Sequence, residues 1–250
     1  MISLAIRKWF FDLWDHLLVV VLLNTIYLLS FFFLYLGLQG WMVFVPVGAF
    51  LLTLAQALAS GLTWCMNTGT PLRWVEVGIS LQRNWRPALL LTALNGIMVA
   101  GLWFASVPAQ QGSGLEGFLP LGLVSGIALL WILAQSWFLP LGAQLETRLS
   151  PIIRKTWLLT FAHPGLTLSQ NLVGLGIVVL SVVGIGLMPG LAGLLLWQNT
   201  ILKLRLLGYD WLKEHPETDP KHLPWKILLK PEADRIGKRT LISLIFPWKK

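Results

Sequence analysis

Charged side chains are scarce in this chain. Only 12% of its 250 residues are Asp, Glu, Lys or Arg, about half the share usual in a soluble globular domain, and 56% are hydrophobic. Between Asp15 and Arg73 there is no charged residue at all. A soluble monomer with this composition would expose too much apolar surface to water. The composition therefore predicts an integral membrane protein.

Motifs that carry chemistry are missing as well. A single cysteine, Cys65, excludes an internal disulfide and the common multi-cysteine zinc sites. There is no Walker A, G-x-S-x-G or H-E-x-x-H motif, and the four histidines lack paired metal-ligand spacing. The net charge of +8 is not gathered on a nucleic-acid-binding motif. We therefore expect a non-enzymatic protein with no catalytic residues, no cofactor, no metal and no nucleic-acid partner.

What the chain does contain is a series of apolar stretches close to the roughly 20 residues that a helix needs to cross a bilayer. They predict an all-α, polytopic membrane helix bundle with about six transmembrane helices in three hairpins. Residues 1–207 form the predicted transmembrane domain, and residues 208–250 form a basic cytoplasmic tail on the membrane surface. One long broken span is the alternative for the last pair. The predicted spans are 17–38, 41–66, 87–107, 118–145, 166–187 and 190–207.

The basic residues are distributed unevenly along these spans. With six crossings, all 19 Lys and Arg residues fall on one side, and the turns on the other side hold only Glu116. Loops near membrane spans that are rich in Lys and Arg stay in the cytoplasm. The distribution therefore predicts a multi-pass protein with both termini cytoplasmic.

Two segments, residues 70–95 and 150–171, share one pattern. Each begins with a hydroxyl residue and a proline, continues with a basic, Trp-containing stretch, and reaches a second proline and an asparagine. The pattern predicts an amphipathic interfacial helix followed by a span. Two interpretations stay open: a true internal repeat of three modules, or the ordinary alternation of loops and spans. The predicted helix caps are Thr70 and Ser150, and the predicted helix ends are Pro87 and Pro164.

Amide side chains recur inside the apolar stretches. Asn24, Asn95 and Asn171 stand at similar places in the three predicted hairpins, and Gln56 and Gln135 lie in other spans. An unpaired amide in hydrocarbon is costly, so each needs a partner. Hydrogen bonds between helices would supply one, and a ligand-lining site is the alternative.

Tryptophan and basic side chains flank the predicted spans. Trp favours the membrane–water interface, and Lys and Arg are attracted to anionic lipids there. For the tail, docking on a cytoplasmic protein is the competing interpretation. The candidate lipid-surface contacts are Trp74, Arg83, Trp85, Arg86, Arg154, Lys155, Trp248, Lys249 and Lys250.

The layout resembles the bacterial membrane protein family of unknown function typified by YesL. The resemblance is carried by the opening pair of spans, the proline in the second span, the basic segment Trp74–Arg86 and the His163-Pro164 entry to the fifth span. It implies a protein of the bacterial plasma membrane, often encoded beside carbohydrate uptake genes of the ABC type. It implies no catalytic residues.

Two functions follow as hypotheses. The first is an accessory or scaffold subunit that binds the bilayer and another membrane protein, such as an ABC permease. The alternative is a small-solute transporter with a polar midplane site lined by Asn and Gln. A shared, water-accessible cavity around the amides would favour the transporter.

Overall fold

The structure, a computed structural model, describes residues 2–110, 114–145, 148–217 and 223–237. Every regular element within these ranges is a helix, which confirms the predicted all-α fold. The helices are α1 (Ile2–Asp15), α2 (Leu17–Leu38), α3 (Phe44–Thr68), α4 (Trp74–Gln110), α5 (Gly114–Gln144), α6 (Leu149–Ala162), α7 (Pro164–Val183), α8 (Gly190–Glu214), α9 (Trp225–Leu228) and α10 (Lys230–Ile236).

Five of the described helices are long and apolar enough to cross a membrane: α2, α3, α4, α5 and α7. Large apolar side chains cover their outer faces, as Phe32, Phe104 and Val183 illustrate. An apolar surface of this extent is unfavourable in water and favourable against lipid tails. The chain is therefore a membrane-embedded helical protein whose outer faces contact lipid.

Helix α8, which contains the sixth predicted span, is not among these five apolar helices. It lies at the centre of the bundle and contacts α1, α2, α3, α5 and α7. It buries the polar side chains of Asn199 and Thr200 completely. Because neighbouring helices rather than lipid surround α8, it can carry polar residues that a lipid-facing helix could not.

The third hairpin, α7 and α8, ends at a different depth from the first. Its turn packs against the middle of α2, where Asn24 bonds to Leu187 and Pro189 and where Leu28 lies beside Gly186. Leu38, the C-terminal end of α2, is ten residues beyond Leu28, or about 15 Å along a helix. The turn of the third hairpin therefore stops well short of the turn between α2 and α3.

The first copy of the repeated pattern differs from its prediction. Pro87 does not end a surface helix, because α4 continues through it without a break, and Thr70 is not the cap, because α4 begins at Trp74. Before the proline, buried Ser80 and Asn84 pack against Gly61 of α3. This packing keeps α4 continuous although the proline supplies no backbone N–H donor.

The second copy has the break that the first lacks. Helix α6 ends at Ala162 and α7 begins at Pro164, as predicted. The prediction of Ser150 as the cap is wrong, since α6 starts at Leu149 and no side chain caps its N-terminus. The two copies thus share a sequence pattern and differ in backbone structure.

The tail, predicted to begin at residue 208, starts later in the structure. Helix α8 extends to Glu214, beyond the predicted end at residue 207. Residues 223–237 then fold onto the bundle, with Leu223 and Leu229 buried and α10 in contact with α1. The described part of the tail therefore docks on the chain itself. The predicted surface contacts Trp248, Lys249 and Lys250 lie outside the described residues.

Candidate functional site

Asn24 is fully buried and is bonded to the turn between α7 and α8. Its Nδ2 donates to the carbonyls of Leu187 and Pro189, both at 2.9 Å, and its Oδ1 accepts from the Ala192 N–H at 2.8 Å. Non-helical backbone at membrane depth is tolerated only where protein satisfies its polar groups. Asn24 supplies those partners, so its role is to stabilise the turn.

Asn95 and Asn171 both bond to α5. The Oδ1 of Asn95 accepts from the Trp131 indole N–H at 2.8 Å. The Nδ2 of Asn171 donates to the Ser136 hydroxyl at 3.2 Å and also to the Thr167 carbonyl of its own helix at 2.8 Å. These amides tie α4 and α7 to α5.

The two glutamine candidates have different surroundings. Gln56 of α3 is buried, and its Oε1 accepts from the Thr92 hydroxyl of α4 at 3.1 Å. Gln135 of α5 is half-buried. Asn24 thus bonds to the turn before α8, Gln56 to α4, and Asn95 and Asn171 to α5. The bonded amides are divided among three places in the bundle.

Sequence reasoning missed a polar cluster between α3, α5 and α8. Asn199, which is fully buried, accepts from Gln144 Nε2 at 2.8 Å. Its own Nδ2 donates to the Thr63 hydroxyl at 2.8 Å and to the Ser60 carbonyl at 3.3 Å. The sequence could have predicted this cluster, because Asn199 is an amide inside a predicted span just as Asn24 is.

A charged cluster forms where α3 ends. Three cationic side chains donate to the Asn67 carbonyl: Lys8 at 2.9 Å, Lys203 at 3.1 Å and Arg235 at 3.0 Å. The carbonyls at the C-terminus of a helix carry the negative end of its dipole and attract cations. The cluster joins α1, α3, α8 and α10 at one end of the bundle.

Two carboxylates balance these cations in part. Glu232 lies 2.5 Å from Lys203 and 3.4 Å from Lys8, and Asp12 lies 2.6 Å from Lys8. Burial alone would raise the pKa of Glu232, but the hydrogen bond from Lys203 and the two lysine charges outweigh burial and lower it. The i, i+4 spacing of Lys8 and Asp12 indicates that the two side chains form an ion pair. Nothing local in the sequence connects Glu232 to either lysine.

A smaller polar group joins the α6–α7 junction to α8. His163 Nε2 lies 2.6 Å from the Tyr209 hydroxyl and 2.8 Å from Arg205 Nη2. Burial and the Arg205 charge both lower the pKa of His163, which keeps the imidazole neutral near pH 7. The neutral ring can accept a hydrogen bond from the guanidinium.

A basic groove of about 810 Å³ opens between α4 and the start of α6. It contains three of the predicted lipid-surface residues, Arg83, Trp85 and Arg86, and adds Arg148 to them. The other described members of that prediction, Trp74, Arg154 and Lys155, do not line it. The lining residues are Ile79, Gln82, Arg83, Trp85, Arg86, Arg148 and Leu149.

Within the described ranges, no group of three or more His, Cys, Asp or Glu residues is placed to hold a metal ion. No protein-family model, curated protein or solved structure matches this chain. The fold and these clusters define a class: a membrane-embedded, all-α bundle with polar groups at its helix contacts and a basic groove on its surface.

Proposed function

We propose that this chain is a non-enzymatic integral membrane protein that acts as an accessory or scaffold subunit in a bacterial plasma membrane. One observation supports this most directly. Asn24, Asn95, Asn171 and Gln56 each make a hydrogen bond to a neighbouring helix or turn, and these bonds help to hold the bundle together.

The transporter alternative requires the same amides to face a shared space. A solute site needs polar groups that are free to bind the solute and reachable from water. The bonds of Asn24, which include two to backbone carbonyls, leave it no free donor. Asn24 and Gln56 bond outside α5, so a midplane site that joins them to Asn95 and Asn171 would need the helices to rearrange.

A scaffold needs a surface for its partner, and α4 and α5 offer the most open one. In the most apolar 18-residue stretch of α4 and of α5, only 17% of the residues are buried by this chain. The corresponding share in α3 is 44%. In this proposal a span of another membrane protein packs on these helices. The resemblance to the YesL-typified family makes a carbohydrate ABC permease the first partner to test.

The test is chemical cross-linking in native membranes. A photoreactive residue replaces Leu123 on the exposed face of α5 or, as the control, Leu172 on the exposed face of α7. We expect a single stoichiometric cross-link to a permease subunit from position 123 and none from position 172. Lipid-only products at both positions would contradict the scaffold role.

A flux assay addresses the alternative. Purified protein in proteoliposomes is supplied with labelled mono- and disaccharides, and we expect no uptake above that of empty vesicles. Saturable uptake that the paired changes Asn95→Leu and Asn171→Leu abolish would favour the transporter instead.

A further inference from the structure

The basic groove gathers positive charge from two parts of the chain. Arg83 and Arg86 come from α4, at successive turns of one helix, and Arg148 comes from the residue before α6. Residues 83 and 148 are far apart in sequence, so only the fold brings these guanidinium groups to the same groove.

Among the residues that the structure describes, no acid balances the charge in the groove. None of the described carboxylates forms an ion pair with Arg83, Arg86 or Arg148. The groove therefore carries positive charge that a bound anion would balance.

The N-terminus of α6 adds to the positive electrostatic potential of the groove. Arg148 and Leu149, at the N-terminus of α6, lie in the wall of the groove, and no side chain caps that end of the helix. The N-terminus of a helix carries partial positive charge from its unpaired N–H groups. This charge supplements the three arginines.

The position of the groove favours a lipid as the source of the anion. Arg86 is followed by Pro87, and from there to Glu116 the sequence has no charged residue. The groove thus lies where the apolar part of α4 begins, which is the depth of lipid headgroups. Exposed Ile79 and Trp85 border it, and they suit the glycerol and upper acyl chains of a lipid.

We propose that this groove is a binding site for the phosphate of an anionic phospholipid, such as phosphatidylglycerol. Guanidinium groups bind phosphate oxygens through paired, charge-assisted hydrogen bonds. The three positive charges disfavour a zwitterionic lipid, whose headgroup carries its own cation. The lipid site requires only that the chain is embedded in a membrane, so it does not depend on the scaffold role.

The test compares two variants with the same net charge. In Arg86→Gln/Arg148→Gln the groove loses two of its bases, and in the control Arg73→Gln/Arg154→Gln two exposed bases outside the groove are lost. Each full-length protein is prepared in detergent with phosphatidylcholine and titrated with phosphatidylglycerol. Native mass spectrometry measures the occupancy of the one-lipid complex.

We expect the groove variant to bind phosphatidylglycerol about thirtyfold more weakly than the wild type, since each base near the surface contributes roughly a fivefold factor. The control should bind within about threefold of the wild type. An equal loss in both variants would mean that spread surface charge attracts the lipid, and it would overturn the site.

A second titration, with inorganic phosphate, separates a lipid from a soluble anion. We expect millimolar phosphate not to displace bound phosphatidylglycerol, because phosphate has no apolar part to contact Trp85 and Ile79. Complete displacement would assign the groove to a soluble phosphate compound and overturn the lipid.

Photo-cross-linking of the wild type keeps the inference testable if the groove variant does not fold. Phosphatidylglycerol with a photoreactive group near its headgroup is irradiated with the unmodified protein, and the products are mapped by peptide mass spectrometry. We expect adducts on residues 79–86 and 148–149. Adducts confined to other segments would exclude the groove.

Discussion

At the scale of single residues, the polar side chains of this protein act mainly as links between helices. Asn199 makes contacts with three partners, whereas Asn95 has one bond, to the indole of Trp131. Hydrogen bonds between membrane helices contribute only about 0.6 kcal/mol on average. The number of bonds that an amide makes should therefore decide how much it stabilises the bundle.

The pair Asn199→Leu and Asn95→Leu tests this. The first change removes three bonds and leaves buried partners unpaired, so we expect a loss of about 2 kcal/mol in unfolding free energy. The second removes one bond, and we expect a loss of about 0.6 kcal/mol. Thermal unfolding of both variants in one detergent gives the ranking, and equal losses would contradict it.

Gly190 shows a second constraint at residue scale, because it begins α8 with φ of 63°, in the left-handed region. A Cβ at this position would also overlap the Asn24 amide. We expect Gly190→Ala to cost about 2–4 kcal/mol through backbone strain and displaced hydrogen bonds.

Gly176, in the middle of α7, is the matched control, because a Cβ there meets no atom within 4 Å. Alanine is the better helix former, so Gly176→Ala should be neutral or stabilise the protein by up to about 1 kcal/mol. The two alanine variants are compared by their unfolding midpoints. Similar midpoints would mean that the turn tolerates a side chain at position 190.

At the scale of elements, the short helix α10 is attached to the bundle by ionic contacts. Glu232 faces Lys203 and Lys8, and Arg235 donates to the last turn of α3. Removing one partner of a buried charge pair leaves the other charge uncompensated. Docking of α10 should therefore depend on the Glu232 carboxylate.

We expect Glu232→Gln to loosen α10 without unfolding the membrane helices. Amide hydrogen exchange in residues 223–237 should become about tenfold faster or more, because even a net loss of about 1.4 kcal/mol changes a local opening constant tenfold. Glu214→Gln removes the same charge at an exposed position and should leave this exchange rate unchanged. Equal effects of the two variants would show that Glu232 does not anchor α10.

Acid should release the same helix. The folded pKa of Glu232 is lowered from its ordinary value of 4.5, so its contribution to stability is complete above that pH. The contribution is lost as the pH falls below 4.5 toward the folded pKa, because protonation then favours the undocked state. Hydrogen exchange of residues 223–237 between pH 7 and pH 3.5, corrected for the intrinsic rate, measures this. A Glu232→Gln variant with the same pH dependence would contradict the assignment.

At the scale of the whole molecule, the third hairpin is held inside the bundle. Its turn is fastened to the middle of α2 by Asn24, and its second helix is surrounded by protein. This arrangement favours a hairpin that enters the bilayer and returns before reaching the far surface. Such a re-entrant segment is tolerated where protein satisfies its backbone, as Asn24 does here.

Cysteine labelling from the side of the membrane that holds the turn between α2 and α3 tests this depth. In a Cys65→Ala background, Trp41→Cys and Ile185→Cys mark the turns of the first and third hairpins, where the native residues are 64% and 78% exposed in the isolated chain. We expect a membrane-impermeant maleimide to label position 41 and to leave position 185 unlabelled until detergent is added. Rapid labelling of position 185 in intact membranes would show that the third hairpin crosses completely.

The same labelling separates depth from sidedness. Arg73→Cys and Lys213→Cys should react only from the side opposite to position 41, because the bond from Lys203 to the Asn67 carbonyl holds the C-terminal part of α8 at the end of the bundle where α3 finishes. Labelling of these two positions from different sides would refute the shared orientation of the loops.

Hydropathy alone determined that this is an all-α membrane protein, and it located α2 to the residue, because a helix in lipid must hide its backbone and expose apolar side chains. Local chemistry also predicted the break at Pro164. Only the tertiary structure decided that α4 continues through Pro87, that α8 is central, and that the tail docks through Glu232. The reason is physical: lipid imposes the same demand on every span, whereas a contact between distant residues exists only after the helices have packed.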